Sequence, residues 1–284
     1  MTLEQLLEEG TKALSEAGVP DSALDARFLL LAAFDLSLAS FLTVKGREVS
    51  APESLGAFRD MIGRRARREP LQQILGVQEF MGLEFAVNGH VLVPRQDTET
   101  LVELVLSENR DKDKEVLDMC AGSGCIGISL ARLGGYRRVT ASELSGEALK
   151  TAGENARRLL GGYCGEFSLV QGDMFGALPP GAAFDILVSN PPYIPSGVIE
   201  GLEPEVKDYE PRMALDGAGD GLKFYRILAD QGRAFLRKGG RVYLEIGWDQ
   251  GPAVEELLKN AGFDGIRRIR DLAGRERVVC AFWP

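Results

Sequence analysis

The chain has 284 residues, with 33 Lys and Arg against 42 Asp and Glu and a single His, so its formal net charge is −9. Apolar residues make up 45% and charged residues 26%, which excludes disordered, collagen-like and disulfide-scaffold classes. The length allows a full core, and the acidic balance argues against a general polyanion binder.

The first seventy residues read as helices. Thr2 with Gln5 makes a capping-box start, and Leu3, Leu6, Leu7 and Leu14 recur at helical spacing. This acidic, amphipathic opening is not that of a signal peptide. Pro20-Asp21-Ser22 marks a break and a new start, followed by the apolar run Phe28–Phe34, too short to span a bilayer. Ser50 with Glu53 predicts another helix start with Pro52 in its first turn, ending near Glu69-Pro70. Arg64, Arg65, Arg67 and Arg68 then fall at a helix C-terminus, where solvated cations complement the macrodipole; contact with an acidic protein surface or RNA is the alternative.

Between Gln78 and Asn88, the residues Phe80, Leu83, Phe85 and Val87 predict a hairpin turning at Met81-Gly82, and Val91–Pro94 a further extended stretch. From Glu115 onward, β-branched runs alternate with helical segments. The predicted strands are Glu115–Met119, Val139–Ser142, Ser168–Gln171, Phe184–Ser189, Arg241–Ile246, Gly265–Ile269 and Val278–Phe282. The predicted helices include Gly124–Leu133, Gly146–Leu160, Gly221–Leu236 and Pro252–Ala261. Such alternation gives a mostly parallel sheet with helices on both faces. The last two strands are joined without a helix and are expected to pair antiparallel. The expected architecture is α/β: a small helical N-terminal domain over 1–70, a β-hairpin linker over 71–95 and a Rossmann-like domain over 96–284. Cys120, Cys125, Cys164 and Cys280 form no C-x-x-C pair, and with His90 alone no ordinary zinc site can be drawn. No metal, reduced thiols and a cytoplasmic location are expected.

The first predicted strand ends in Asp118, followed by Met119-Cys120-Ala121-Gly122-Ser123-Gly124. Glycines after a strand let a ligand approach the backbone, and the next helix offers free N–H groups. Glu143, 21 residues beyond Gly122, ends the second strand and suits a ribose diol. NAD, FAD and S-adenosylmethionine sites all use this arrangement.

After the fourth strand stands Asn190-Pro191-Pro192-Tyr193. The prolines stiffen the turn, Asn190 and the Pro191 carbonyl offer acceptors, and Tyr193 offers a flat ring. Two acceptors and a ring suit a planar –NH2 group, either adenine N6 or a glutamine amide. The lone pair on such a nitrogen is delocalised, and acceptors on its hydrogens orient it and stabilise the positive charge that grows on attack.

Asp118, Gly122-x-Gly124, Glu143 and Asn190–Tyr193 together resemble amino-methylating, S-adenosylmethionine-dependent methyltransferases. The stretches Gln72–Gly76, Val93–Glu99, Glu205–Arg212, Leu215-Asp216-Gly217 and Leu244-Glu245-Ile246-Gly247 narrow the resemblance to the HemK/PrmC family. Its members methylate N5 of the glutamine in the Gly-Gly-Gln motif of peptide chain release factors. The resemblance implies a class I methyltransferase domain. It implies cofactor binding by Asp118, Cys120, Ala121, Gly122, Ser123, Gly124, Glu143, Asp173, Met174 and Asn190. It also implies substrate binding by Asn190, Pro191, Pro192 and Tyr193, with Asn190, Pro191 and Tyr193 catalytic. The helical segment is expected to dock the release factor, and the polar loop with Tyr209 and Arg212 to help cover it. Cys120 stands where many members have Gly, and Gln96 where many have Pro. The rival readings are a ribosomal-protein glutamine methyltransferase, a DNA adenine-N6 methyltransferase and a non-catalytic cofactor-binding scaffold. Nucleic acid is not the expected substrate, because the charge is acidic and no DNA-binding module is recognisable.

Overall fold

The first helix of the computed structural model, Leu3–Glu16, starts at the expected capping box: the Thr2 hydroxyl accepts from the Gln5 N–H at 3.2 Å, and Gln5 Oε1 accepts from the Thr2 N–H at 2.9 Å. The structure describes residues 1–284. Helices Ser22–Ala33, Leu38–Val44, Pro52–Ala66 and Leu71–Leu75 follow, and Leu6, Leu14, Leu29, Leu30, Phe41 and Phe58 form their shared core. Two expectations need correction. Ser50 does not cap the fourth helix, whose N-cap is Ala51 with no side-chain bond, and the helix ends at Ala66 rather than near Glu69. Pro52, with its fixed φ and no N–H to satisfy, starts a helix without a hydroxyl cap. No single helix is long and apolar enough to cross a membrane.

The arginine cluster is not a solvated helix end. Arg65 is buried; its Nε donates to Asp25 at 2.7 Å and its Nη2 to Glu205 at 2.8 Å. Arg68 Nε also donates to Glu205, at 2.7 Å, and Arg64 Nε donates to Glu69 at 2.9 Å. The segment Glu203–Tyr209 therefore belongs to the helical unit, which comprises Met1–Val77 and Glu203–Tyr209. Within it, the Tyr209 hydroxyl donates to the Arg67 carbonyl at 2.7 Å.

The second unit comprises Gln78–Leu202 and Glu210–Pro284. Strands β1 (Val77–Phe80) and β2 (Leu83–Ala86) make the expected hairpin. Met81 and Gly82 have φ of 54° and 71°, the paired positive values of a type I′ turn. Phe80 and Phe85 are buried with Leu101 and Val102 in the core of this unit. Asn155 seals the hairpin onto a helix: its Oδ1 accepts from Ala86 N at 2.7 Å and its Nδ2 donates to Ala86 O at 3.1 Å. Val91–Pro94 joins no sheet.

Seven further strands form one sheet: β3 (Glu115–Met119), β4 (Arg138–Glu143), β5 (Glu166–Gln171), β6 (Phe184–Ser189), β7 (Leu236–Glu245), β8 (Asp264–Arg270) and β9 (Glu276–Phe282). Their order is β5-β4-β3-β6-β7-β9-β8. β3 to β7 pair in parallel, and β9 lies antiparallel between β7 and β8. The antiparallel pairing was legible in the sequence; the insertion of β9 between its neighbours was not. All five residues of β3 are buried, as in a strand covered on both faces. The edge strand β8 carries Arg267, Arg268 and Arg270, charges that oppose pairing with another edge. The helix predicted over Gly221–Leu236 is an α-helix over Lys223–Gly232 that tightens to a 3-10 turn over Arg233–Phe235, and β7 begins at Leu236. From β3 the sheet grows outward to β4 and β5 on one side and, starting with β6, on the other. That reversal leaves a crevice at the carboxyl ends of β3 and β6.

Candidate active site

A cavity occupies that crevice. Cys120–Ser123 after β3, Glu143 at the end of β4 with Ser145 beyond it, Asp173 and Met174 after β5, and Asn190 and Pro192 after β6 all line it. Nine residues expected at the site thus share one wall: Cys120, Ala121, Gly122, Ser123, Glu143, Asp173, Met174, Asn190 and Pro192. Asp118, Gly124, Pro191 and Tyr193 do not line it.

The glycine turn owes its shape to three positive φ values, 64° at Cys120, 55° at Gly122 and 79° at Gly124. Cys120 therefore occupies the left-handed region that glycine favours. A Cβ at Gly122 would meet no protein atom within 4 Å, so its absence keeps open space at the cavity wall. Glu143 anchors the turn: Oε2 accepts from Gly122 N and Oε1 from Ser145 N, each at 2.9 Å. A carboxylate has about four acceptor sites, so two remain for a diol. Asn155 Nδ2 holds the loop from behind, donating to Ser123 O at 3.0 Å.

Asp118 serves the turn rather than the cavity. Its Oδ2 accepts from Gly127 N at 2.8 Å, fixing the start of helix Cys125–Ser129. A Cβ at Gly127 would lie 2.9 Å from that oxygen, so glycine is needed there. Burial pushes the Asp118 carboxyl up to about 7. Its Oδ1 is buried without a partner, as are the hydroxyls of Ser123 and Ser142, two residues of the cavity wall.

The Asn190 turn is held at both ends. The Ser189 hydroxyl donates to Met119 O at 2.6 Å, tying the end of β6 to the end of β3. Beyond the prolines, Gln250 Nε2 donates to Tyr193 O at 3.0 Å, and Gly217 N to Ile194 O at 2.8 Å. A Cβ at Gly217 would meet the Tyr193 backbone at 2.8 Å, so the Asp216-Gly217 pair lets a second loop lie flat against the turn. Tyr193 is half-buried against the larger core, and burial pushes its phenol up to about 12, leaving it un-ionised at neutral pH. Asn190 Nδ2 donates to Thr98 Oγ1 at 3.3 Å.

Thr98 and Glu245 are the residues that sequence reasoning missed. Both are buried, and both lie in stretches, Val93–Glu99 and Leu244–Gly247, that carried the resemblance without an assigned role. The available signal was that Glu245 ends the fifth parallel strand, as Glu143 ends the second. Burial pushes the Glu245 carboxyl up to about 7, opposed by hydrogen bonding from Thr98 and the charge of Arg277. Glu210, also buried, accepts from Val93 N at 3.2 Å and from Arg95 at 2.6 Å, fixing the stretch before Thr98. Gln96 is exposed at the start of a short 3-10 turn, so replacing proline there costs no buried contact. Tyr209 and Arg212 do not line the cavity: Tyr209 lies in the helical unit and Arg212 pairs with Glu200 at 2.9 Å, while Pro211, Met213 and Ala214 form the wall.

A family profile described as the PrmC N-terminal domain matches residues 5–76, and one described as a methyltransferase small domain matches 96–200. A release factor glutamine methyltransferase from Geobacter sulfurreducens is 40% identical over 278 residues, 98% of this chain and 95% of its own length. One of the same description from Moorella thermoacetica is 43% identical over 285 residues, 99% of each chain. Among solved structures, a methyltransferase from Pyrococcus furiosus aligns with a TM-score of 0.54 at 19% identity, covering 78% of this chain and 98% of its own. A 16S rRNA N2 G1207 methyltransferase from T. Thermophilus, solved with AdoMet and guanosine, aligns with a TM-score of 0.51 at 20% identity, covering 73% of this chain and 50% of its own. Both of these share the fold.

Proposed function

The chain belongs to the release factor glutamine methyltransferase family, and we propose that it transfers the methyl group of S-adenosylmethionine to N5 of the glutamine in the Gly-Gly-Gln motif of peptide chain release factors. The observation that carries this reading is the placement of Asn190 and Glu143 on one cavity wall, with Asn190 Nδ2 already engaged by Thr98. The Asn190 carbonyl oxygen is thereby left to accept from a substrate –NH2 group.

The residues present fit the cofactor. Glu143 keeps two acceptor sites for a ribose diol, and the unpartnered Ser123 and Ser142 hydroxyls lie on the same wall, beside Gly122. Leu144 and Met174 give an apolar lining for the base, with Asp173 next to them. When bound, S-adenosylmethionine supplies an electrophilic sulfonium methyl. The chain's own part is to bind and orient. Asn190 Oδ1 and the Pro191 carbonyl take the two hydrogens of the glutamine amide, which aims the nitrogen lone pair along the transfer line. The same two oxygens stabilise the positive charge that develops on nitrogen, an effect prearranged before reaction. Tyr193, un-ionised, backs the same turn from the core side.

These groups recognise an –NH2 but cannot select one protein among many. The helical unit supplies the second contact: Leu24, Phe28, Leu38 and Leu42 are exposed apolar side chains on it. A cytoplasmic location goes with such a substrate. Labelled S-adenosylmethionine offered with a release factor, a ribosomal protein and duplex DNA tests the reading. Label is expected on the release-factor glutamine. Label on duplex DNA alone, or on the ribosomal protein alone, would overturn the substrate.

A further inference from the structure

We infer that Thr98 and Glu245 are positioning residues that fix which edge of the Asn190 amide faces the substrate, an inference that rests on Asn190 being the acceptor of the glutamine –NH2. An asparagine amide carries an acceptor and two donors on nearly isosteric arms. Only Oδ1 can receive the hydrogens of the substrate amide. In the flipped orientation Nδ2 would direct its own hydrogens at an –NH2 group, and repulsion would replace binding.

The structure supplies a device that decides between the two. Asn190 Nδ2 donates to Thr98 Oγ1 at 3.3 Å. Thr98 is 2% exposed and Glu245 1% exposed, and hydrogen bonding from both Thr98 and Asn190 acts on the Glu245 carboxyl. An ionised carboxylate only accepts, whereas a hydroxyl can accept from one neighbour while donating to another. With Glu245 ionised, Asn190 and Thr98 therefore both turn donors toward it, and Thr98 Oγ1 accepts from Asn190. Reversing the amide needs a proton on Glu245.

The register puts the three residues together. Ser189 of β6 pairs with Leu244 of β7, so Asn190 and Glu245 are the next residues along two adjacent parallel strands. Thr98 enters from the stretch before helix Glu99–Glu108. Glu245 Oε2 is buried without a partner, which is costly in a residue kept for packing alone. The charged and titratable groups acting on Glu245 are Arg277 and Asp97, and the Tyr225 hydroxyl donates to its backbone carbonyl at 2.8 Å. Arg277 is itself paired with Asp97 at 2.9 Å and Asp271 at 3.2 Å. Tyr193, Tyr225 and Cys125 also feel the Glu245 charge.

Thr98→Val, Thr98→Ser, Glu245→Gln and Asn190→Ala test the arrangement, with kcat and KM measured on intact release factor across pH and cofactor affinity measured by calorimetry. Thr98→Val and Glu245→Gln are expected to lower kcat about tenfold, the effect of one lost hydrogen bond, with cofactor affinity within about twofold of wild type. Thr98→Ser, which keeps the hydroxyl, is expected to restore the wild-type rate. Wild-type kcat is expected to rise as Glu245 loses its proton, and that rise should vanish in Glu245→Gln. If Glu245→Gln does not fold, the Thr98 pair decides alone. Wild-type kcat in Thr98→Val, or equal losses in the Ser and Val variants, overturns the positioning role. If those results come with a crippled Asn190→Ala, only the positioning role falls. If Asn190→Ala itself turns over normally, the acceptor reading falls with it.

Discussion

In the helical unit Arg65 is as buried as a core leucine, yet its Nε, Nη1 and Nη2 meet Asp25, the Glu69 carbonyl and Glu205 at 2.7, 3.1 and 2.8 Å. In the catalytic unit the opposite holds near the cavity: Asp118 Oδ1, Ser123 Oγ, Ser142 Oγ and Glu245 Oε2 are buried with no partner. Burying polar groups is costly in both places. The first unit recovers that cost within its own fold, and what it gains is a unique arrangement of distant segments more than net stability. The second leaves capacity open beside the cavity, where a ligand or a proton can complete it. Beside the cavity, then, polar capacity is left open where a ligand can use it, as at Ser123 and Ser142.

The largest expected effect breaks the paired side. Arg65→Ala leaves Asp25 and part of Glu205 buried without a cation, and is expected to destabilise the fold by about 3–5 kcal/mol in urea unfolding. A loss below about 1 kcal/mol would mean that water already screens these charges.

The next tests the unpaired side through pH. Asp118 and Glu245 have carboxyls raised from the ordinary range to about 7 in the folded state. Between pH of about 4 and about 7 the folded chain therefore holds protons that the unfolded chain has released, so stability falls as pH rises through this window. The ligand-free protein is expected to lose a few kcal/mol on the order of the linkage of two such groups, and Asp118→Asn should flatten part of that fall. A urea midpoint that rises from pH 5 to pH 7 contradicts the assignment.

Smaller effects sharpen the division. Glu143→Ala is expected to weaken S-adenosylmethionine binding by about 1–3 kcal/mol in calorimetry, the loss of a charged hydrogen bond together with its hold on Gly122. Unchanged affinity would remove the ribose assignment. Smallest is Cys120→Gly, which relieves a φ of 64° but gives up a thiol lying 3.8 Å from Met174 Sδ. The two nearly cancel, and the unfolding free energy is expected to move by less than about 1 kcal/mol.

The strands, the glycine turn, Glu143 and the Asn190 turn were legible because each is local: β-branched runs, glycines at a strand end and two prolines announce themselves within a few residues. The partners of Arg65 and Arg68 were not, because Glu205 stands 137 residues beyond Arg68 and a helix-end reading takes only the last turn into account. The insertion of β9 between β7 and β8 depends on sheet edges that no periodicity encodes. Thr98 and Glu245 were visible as members of motifs, yet their task exists only once β6 and β7 lie in register. Pro191 and Tyr193 were read as site residues from the same local turn; neither is among the residues lining the cavity, and their part rests on the turn they share with Asn190.

The chain crosses between its two units three times, after Val77, Leu202 and Tyr209. The helical unit is therefore not a cassette that a single cut can lift out. A protease nick near Val77 leaves Met1–Val77 gripping Glu203–Tyr209 through Arg65, Arg68 and Gln73. A chimera that grafts a new helical unit onto this enzyme has to carry its own version of residues 203–209, or strand Glu205 without its cations. The integrity of the helical unit in such chimeras depends on a seven-residue splice inside the catalytic sequence as much as on the helices themselves.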